Sequence, residues 1–463
     1  MKVVFVGGGA LRHLSTLRAA LAEQAIFQDG EICLYDLNRA RAQAMGRMIM
    51  KTPEYAQVRC KVTWDRPLDK ALEGADAVSV VLLGGTRELH AVSEAACRHR
   101  GFIGSDNLSP AGTILALKTA PILVDLAARM RRRCPDAWLL EFANPVPILS
   151  SLVNNHTPIK AMGICAGYTN HQWDVARLLG TDEQRRDIDV QVAGVNHMSF
   201  ILHGKVGDAD LFATLKRRLH AGWKMSPLGP WWSAGMKRMI TRSVRALAKT
   251  YQELGLLVFS TEGDGLAHLL GKAWCPPGDN PAARLSLAAV RRDVQRSMQH
   301  RAAEDIRFRE LLDRELDESF WAEHWKSDAV FKREDDIFVE ILRGVAQVRP
   351  VKIVTSRPNG DAVTGMPQAV VLEYSQVLHG KTIRPAERVA IPALAQGLVG
   401  AWAAHQTLVA DAIAAQDGKL LAQALSAYPV RPYSSDIRGL FRQLIKLNES
   451  ALPRFAQESS EYL

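Results

Sequence analysis

The chain has 463 residues, of which 47% are hydrophobic and 23% charged, a balance typical of soluble globular domains that excludes a disordered or fibrous chain. At roughly 150 residues per domain this length predicts two or three domains with large cores. The formal charge of +9 speaks to association and not to fold. No nucleic-acid motif accompanies it, so nucleic acid is not an expected partner. The start carries no basic, apolar and small-residue pattern of a secretory leader, and the apolar runs, such as residues 77–85, read as strand-length. A cytoplasmic protein that crosses no membrane is therefore expected. Cys33, Cys60, Cys97, Cys134, Cys165 and Cys275 are scattered without close pairs, which indicates neither a disulfide framework nor a zinc ribbon.

In chain order, the apolar run 2–6 leads into Gly7-Gly8-Gly9-Ala10 and then into helical spacing over 11–22, which reads as strand, glycine turn and helix. Gly7 and Gly9 let a backbone approach a diphosphate, although the third glycine of G-x-G-x-x-G falls on Arg12. The next strand, 31–35, ends at Asp36, where a carboxylate meets the adenosine ribose hydroxyls and favours NAD over its phosphorylated form. Arg39 and Arg41 stand nearby. Strands predicted at 77–83, 138–142, 161–165 and 189–195 alternate with helices at 113–133 and 172–179, which predicts a parallel sheet covered on both faces. After about His203 the rhythm changes. Residues 211–252 contain no acidic residue, and strands at 351–355 and 369–373 with a helix at 391–415 predict a second, mixed α/β domain packed against the first.

Three side chains stand where such a fold binds ligands, at the carboxyl ends of strands. Asn144, before Pro145, can offer a donor and an acceptor to a cofactor ribose or a substrate hydroxyl; the same residue is also suited to capping a turn. Cys165 and His197 each follow a strand, and a thiolate with an imidazole suits a divalent transition metal. Two ligands leave a site open, to be completed by water, substrate oxygens or a carboxylate such as Asp106 or Asp264.

Taken together, Gly7-Gly8-Gly9-Ala10, Tyr35-Asp36, Gly84-Gly85, Gly104-Ser105-Asp106, Pro110-Ala111-Gly112, Asn144-Pro145, Gly163-Ile164-Cys165, Gly194-Val195-Asn196-His197-Met198 and Pro358-Asn359-Gly360 resemble the NAD- and divalent-metal-dependent glycoside hydrolases of family 4, relatives of the lactate and malate dehydrogenases. The resemblance implies an α/β fold with an N-terminal Rossmann NAD-binding domain over 1–198 and a C-terminal α/β domain for substrate and oligomer contacts over 199–463, in a homodimer or homotetramer. It further implies that Gly7, Gly9, Asp36 and Asn144 hold NAD and that Cys165 and His197 ligate a metal such as Mn2+. Asn144, Asn196, Arg87 and Asp106 are then placed at the substrate, a glycoside that the basic segment suggests is anionic. The implied reaction oxidises the sugar at C3, removes the C2 proton, eliminates the aglycone, adds water and returns the hydride, a scheme outside the two-carboxylate mechanism.

The chain also departs from that family. Where members carry a tyrosine-rich segment, it reads Trp231-Trp232-Ser233-Ala234-Gly235-Met236, which leaves Tyr251 as the nearest candidate base. Asp264 is the candidate acid or base, followed by Gly265-Leu266 where members carry arginine and histidine. Ala166 follows the cysteine in place of histidine or asparagine, and Leu89 replaces a basic residue beyond Arg87. Two alternatives remain open at this point: an NAD-dependent 2-hydroxy acid or polyol dehydrogenase, and a non-catalytic NAD-responsive binding protein.

Overall fold

The computed structural model describes every residue except 12, 166, 181–187, 226–227, 229–232, 260–262, 271–285, 328–334 and 432–434; Arg12, Ala166, Trp231, Trp232 and Cys275 therefore lie outside the described residues. The first apolar run forms β1 (Lys2–Val6), followed by β2 (Gly30–Tyr35), β3 (Cys60–Thr63), β4 (Ala77–Val80), β5 (Trp138–Glu141) and β6 (Ala161–Gly163). These six are parallel and stand in the order β3-β2-β1-β4-β5-β6. That is the order of a dinucleotide-binding sheet, whose crevice opens beside β1 where the winding reverses. Val3, Val4 and Phe5 are fully buried, as a strand covered by helices on both faces requires. Strands β4, β5 and β6 stop one to three residues before their apolar runs do: Val81, Phe142 and Ile164 each donate one last amide to the neighbouring strand, and the chain then turns into loops at the carboxyl edge.

The C-terminal half extends this same sheet. β11 (Val351–Pro358) pairs antiparallel with β6, β13 (Val371–His379) with β11, and β7 (Ile188–Val195) with β13. β8 (Met198–Val206) forms a hairpin with β7 and pairs with β10 (Leu257–Val258). With β9 (Ala209–Asp210) and β14 (Thr382–Pro385) at its margins, the sheet has thirteen strands. The joint at β6 is close: a Cβ on Gly163 would stand 2.7 Å from Val146 and 3.0 Å from Ser356, so only glycine admits it. A separate pair, β12 (Val363–Thr364) and β15 (Val389–Ala390), is tied by Asn359. Its amide nitrogen donates to the carbonyls of Val363 and Met366, and its oxygen accepts from the Val363 amide at 2.8 Å. The asparagine-glycine element is thus a structural loop.

The helix Pro110–Arg133, capped by Ser109, corrects the expectation that apolar segments are only strand-length. It is long and apolar enough to cross a membrane. Ile114, Leu117, Ala120 and Leu123 on it are fully buried in the core on one face of the sheet, however, so protein covers its apolar surface. On the opposite face, Arg18 in the helix His13–Leu21 meets Glu54 in a buried two-point ion pair, Nε–Oε2 at 2.9 Å and Nη2–Oε1 at 2.8 Å, with the guanidinium 4.7 Å from the Trp321 ring.

Glu141, at the end of β5, is fully buried, and neither carboxylate oxygen has a hydrogen-bond partner. Burial pushes its pKa well above the ordinary 4.5 against a smaller downward pull from the Ala143 amide, so the folded chain holds it protonated. An acid whose folded pKa is raised destabilises the fold as pH climbs through the interval above its unfolded value. Glu141→Gln removes that dependence. Urea denaturation between pH 5 and 7 should show the variant gaining on the parent by about 1.4 kcal/mol per pH unit; parallel curves would mean that Glu141 ionises freely in the fold.

Candidate functional site

Cys165 lies two residues beyond β6 and is buried. Its Sγ stands 3.9 Å from Nε2 of His171, in the first turn of the helix Tyr168–Leu179. Burial first, and the nearby His197 second, push the His171 imidazole down to about 3, so it is neutral and keeps a lone pair. His197 sits in the turn between β7 and β8 with φ 69°, in the left-handed region that costs a non-glycine residue of order 1 kcal/mol or more. The strain is held from outside. Gly265 packs its backbone on the His197 carbonyl so closely that a Cβ there would be 1.7 Å from the oxygen. Position 265 therefore admits only glycine.

His197 is fixed at both ring nitrogens. Nδ1 lies 2.9 Å from Asp264 Oδ1, and Nε2 lies 3.1 Å from Asn107 Nδ2. The Asn107 amide nitrogen can only donate, so Nε2 accepts and the proton is on Nδ1, facing the carboxylate. An imidazole whose Nδ1–H is held by a carboxylate keeps its lone pair on Nε2, as a metal-binding histidine does; here that lone pair accepts from Asn107, which a cation would have to displace. Asp264 also accepts from the Ser105 hydroxyl at 2.7 Å, the Leu108 amide at 3.1 Å and the Gly265 amide at 2.9 Å. Burial alone pushes this carboxyl up, but the Nδ1–H of His197, which lies against it and hydrogen-bonds to it, and the hydrogen bonds from Ser105 and Leu108 outweigh that and hold Asp264 well below the carboxylate range.

Around this core, Asn196 donates to Glu373 Oε1 at 2.9 Å, and Ser199 donates to Oε2 at 2.7 Å. Asn196 Oδ1 is buried without a partner. Burial, only partly offset by those two hydrogen bonds and His197, raises the Glu373 pKa. Asn144 donates to Asp106 Oδ2 at 2.5 Å, and both are half-buried. The loop 105–109 therefore reaches four elements through Ser105, Asp106, Asn107 and Ser109. Of the predicted site residues, His197, Asp264, Asn144 and Asp106 are linked through the loop 105–109 and Asn196 adjoins His197, whereas the described contact of Cys165 is with His171. Tyr251 is not joined to them: it is half-buried on the helix Ala234–Leu254, its ring packed 5.8 Å from Phe212.

At the other end of the carboxyl edge, Gly7 has φ 87°, and a Cβ on it would be 2.0 Å from the Val81 carbonyl oxygen. The Gly7 and Gly8 amides both donate to the Tyr35 carbonyl at 2.9 Å, and the Gly9 amide donates to Asp36 Oδ2 at 2.9 Å. Beside them a cavity of about 430 Å³ is lined by Tyr35, Asp36, Arg39, Trp64 and Arg66. Arg87 is exposed at the first turn of the helix Arg87–His99. Burial of part of its chain and the nearby Arg301 and Arg41 lower its pKa, which places it on the cofactor side of the edge.

The donors suit a borderline divalent cation: a thiol sulfur, an imidazole lone pair and an orphaned amide oxygen. Among the described residues no three His, Cys, Asp or Glu side chains converge as ligands. A cation held by Cys165 and His197 would thus keep positions open for water or substrate, as catalytic sites do. Sequence reasoning missed His171 and Glu373. His171 stands six residues after the cysteine, a spacing with no metal-ligand meaning, and Glu373 is an acidic residue inside an apolar strand pattern, which was the available signal.

The solved structure of a 6-phospho-alpha-glucosidase from gut microorganisms, in complex with NAD and Mn2+, superposes with a TM-score of 0.81 at 18% identity, covering 98% of this chain and 99% of that one, which shows a shared fold. An alpha-galacturonidase of Thermoanaerobacterium saccharolyticum is 23% identical over 459 residues, 96% of this chain and 95% of that protein. An alpha-galactosidase of Bacillus subtilis is 27% identical over 222 residues; in that match the chain spans about half of the relative's length, 50%, and 47% of its own. The family 4 glycosyl hydrolase model matches residues 2–181 and the model of that family's C-terminal domain matches residues 192–430, so the chain belongs to the family 4 glycosyl hydrolases.

Proposed function

We propose that the chain hydrolyses an anionic glycoside with the help of NAD and a divalent cation such as Mn2+. The observation that carries this reading is His197, held with Nδ1–H on Asp264 so that Nε2 keeps the lone pair, together with the Cys165–His171 contact just beyond β6, on the same sheet edge as the glycine turn. The first relatives with long alignments include an alpha-galacturonidase, and structural neighbours are described with NAD and glucose-6-phosphate; both names denote acidic sugars, which supports an anionic substrate.

When bound, NAD supplies reversible hydride transfer, and the cation polarises a carbonyl and stabilises developing negative charge. The chain's own residues divide the remaining work. Cys165 and His197 hold the cation, and His171 lines the same space as a neutral imidazole. Asp264, ionised and fully hydrogen-bonded, fixes the His197 tautomer and is poorly suited to donating protons. Asp106 has one oxygen on Asn144 and is partly open, so it is better placed than Tyr251 to accept a proton or orient a sugar hydroxyl. Asn144 bridges substrate and cofactor ribose, and Gly7, Gly9 and Asp36 seat the adenosine end.

The test is nitrophenol release from α- and β-glycosides, including uronides and 6-phosphosugars, with NAD+ and Mn2+ added or omitted. Turnover of an acidic glycoside that needs both, without net NADH, is the expected result. Net NADH from a hydroxy acid or polyol would instead establish a dehydrogenase, and bound NAD+ with no turnover a sensor.

A further inference from the structure

The glycine turn has few hydrogen-bond donors to spare. The Gly7, Gly8 and Gly9 amides serve Tyr35 and Asp36, and the Ala10 amide donates to the Gly7 carbonyl at 3.1 Å. A dinucleotide's diphosphate carries two negative charges, and in sites of this kind backbone N–H groups ordinarily receive them. Here the positive partners must come largely from side chains.

They come from both sides of the crevice and from across it. The helix Leu287–Glu310 is 24 residues, about 36 Å long. At its N-terminal end Val290 packs with Val92 and Ala95 of the helix Arg87–His99, and Arg291 meets Glu88 at 2.9 Å. At its other end Phe308 joins the core with Leu311 and Leu312. Asp305 meets Arg41 of the helix Arg39–Met50 at 3.2 Å, and Lys51 donates to the Arg314 carbonyl at 2.7 Å. The two anchoring helices follow β4 and β2, the strands that flank β1, so this helix bridges the mouth into which the glycine turn opens. Between its anchors the described side chains of 291–307 are exposed, apart from the half-buried Val294 and Asp305. It is a strap held at its ends.

Arg301 lies in the span. Arg87 and Arg301 are paired with no carboxylate among the described residues, and both lie within electrostatic reach of each other or of Arg41. Arg41 has its Cβ 2.7 Å from where a side chain on Gly9 would begin. Arg41 shares its charge with Asp305, but Arg87 and Arg301 have no such counter-ion among the described residues, and guanidinium matches phosphate oxygens in pairs.

From this we infer that Arg301, carried by the strap helix, combines with Arg41 and Arg87 to form a diphosphate receptor that closes the strap over the bound cofactor. The inference rests on the proposal that the chain binds NAD. It adds that the C-terminal half contributes to affinity for the diphosphate through Arg301, and that cofactor binding steadies the helix Leu287–Glu310.

The test combines calorimetric binding with hydrogen–deuterium exchange on the full chain, using NAD+, ADP, adenosine and inorganic pyrophosphate. In the parent chain NAD+, ADP and pyrophosphate should each slow exchange across 287–310, while adenosine should not. Arg301→Met should weaken NAD+, ADP and pyrophosphate at least tenfold and abolish that protection, leaving adenosine binding and the thermal midpoint unchanged; Arg301→Lys should recover part of the loss. Unchanged affinity for the three diphosphates in Arg301→Met would overturn the receptor, as would an equal loss of adenosine. If the parent binds pyrophosphate through Arg301 but not NAD+, the cofactor assignment fails and the receptor stands. If it binds neither, the receptor is overturned as well.

Discussion

Asp264→Asn should lower Mn2+ affinity about 100-fold and turnover at least as much, while the chain stays folded. The carboxylate accepts every one of its hydrogen bonds: Oδ1 from His197 and the Gly265 amide, Oδ2 from Ser105, the Leu108 amide and, at 3.1 Å, His197 again. Whichever oxygen becomes an NH2 group then faces a backbone amide, donor against donor, and neither amide can turn away. His197 loses a full carboxylate partner for its Nδ1–H, and if its proton moves to Nε2 that nitrogen faces the Asn107 amide donor-to-donor and can no longer ligate. The measurement is an Mn2+ titration followed by electron paramagnetic resonance, alongside a thermal scan. Unaltered Mn2+ binding with a normal midpoint would show that His197 is not a ligand or that Asp264 does not orient it. Because the Asp264 carboxyl is held low, the native arrangement should persist through mildly acidic pH and fail only when that carboxyl is protonated.

Glu54→Ala should destabilise the N-terminal half by roughly 3–5 kcal/mol, visible as a clear drop in the thermal midpoint. Removing the carboxylate takes the two-point anionic partner from a guanidinium that is 7% exposed and lies over the Trp321 ring. An unpaired buried charge costs far more than the pair contributes, which gives the prediction its second arm. Arg18→Met combined with Glu54→Leu removes both charges and should regain most of the midpoint. If the double variant is no better than Glu54→Ala, packing and not charge explains the loss. Arg18 lies on the helix that leaves the glycine turn, so the single variant should also bind NAD+ more weakly.

What could be read from the sequence followed from local patterns. The run 2–6, the glycines and Asp36 at the end of the second strand specify one βαβ unit because turn chemistry and hydrophobic period agree there. Cys165 and His197 could be picked out because each follows an apolar strand and sits beside glycine. The partners of His197 could not be read in this way: Asp264 lies 67 residues away and Asn107 90 residues away, and no local period records which loops meet. Asp264 drew notice as an acid or base through the resemblance of its glycine-aspartate element to the family's, yet the hydrogen bonds it accepts point to an orienting role. β11 and β13 read correctly as strands, but their insertion between β6 and β7 depends on long-range pairing that alternation does not encode. The strap helix is polar on most of its surface, so its place over the crevice shows only through ion pairs with distant helices.

The unbroken sheet has a consequence for what the protein can recognise. The glycine turn leaves β1 and Cys165 follows β6, with β4 and β5 between them, so hydrogen-bonded strand spacings set their separation across the sheet at about 14 Å. Two domains joined by a hinge could close over a smaller ligand, but one sheet cannot shorten itself. The molecule therefore measures its guests: whatever touches the turn and the thiol at once must bring its own length, and a sugar alone is too short.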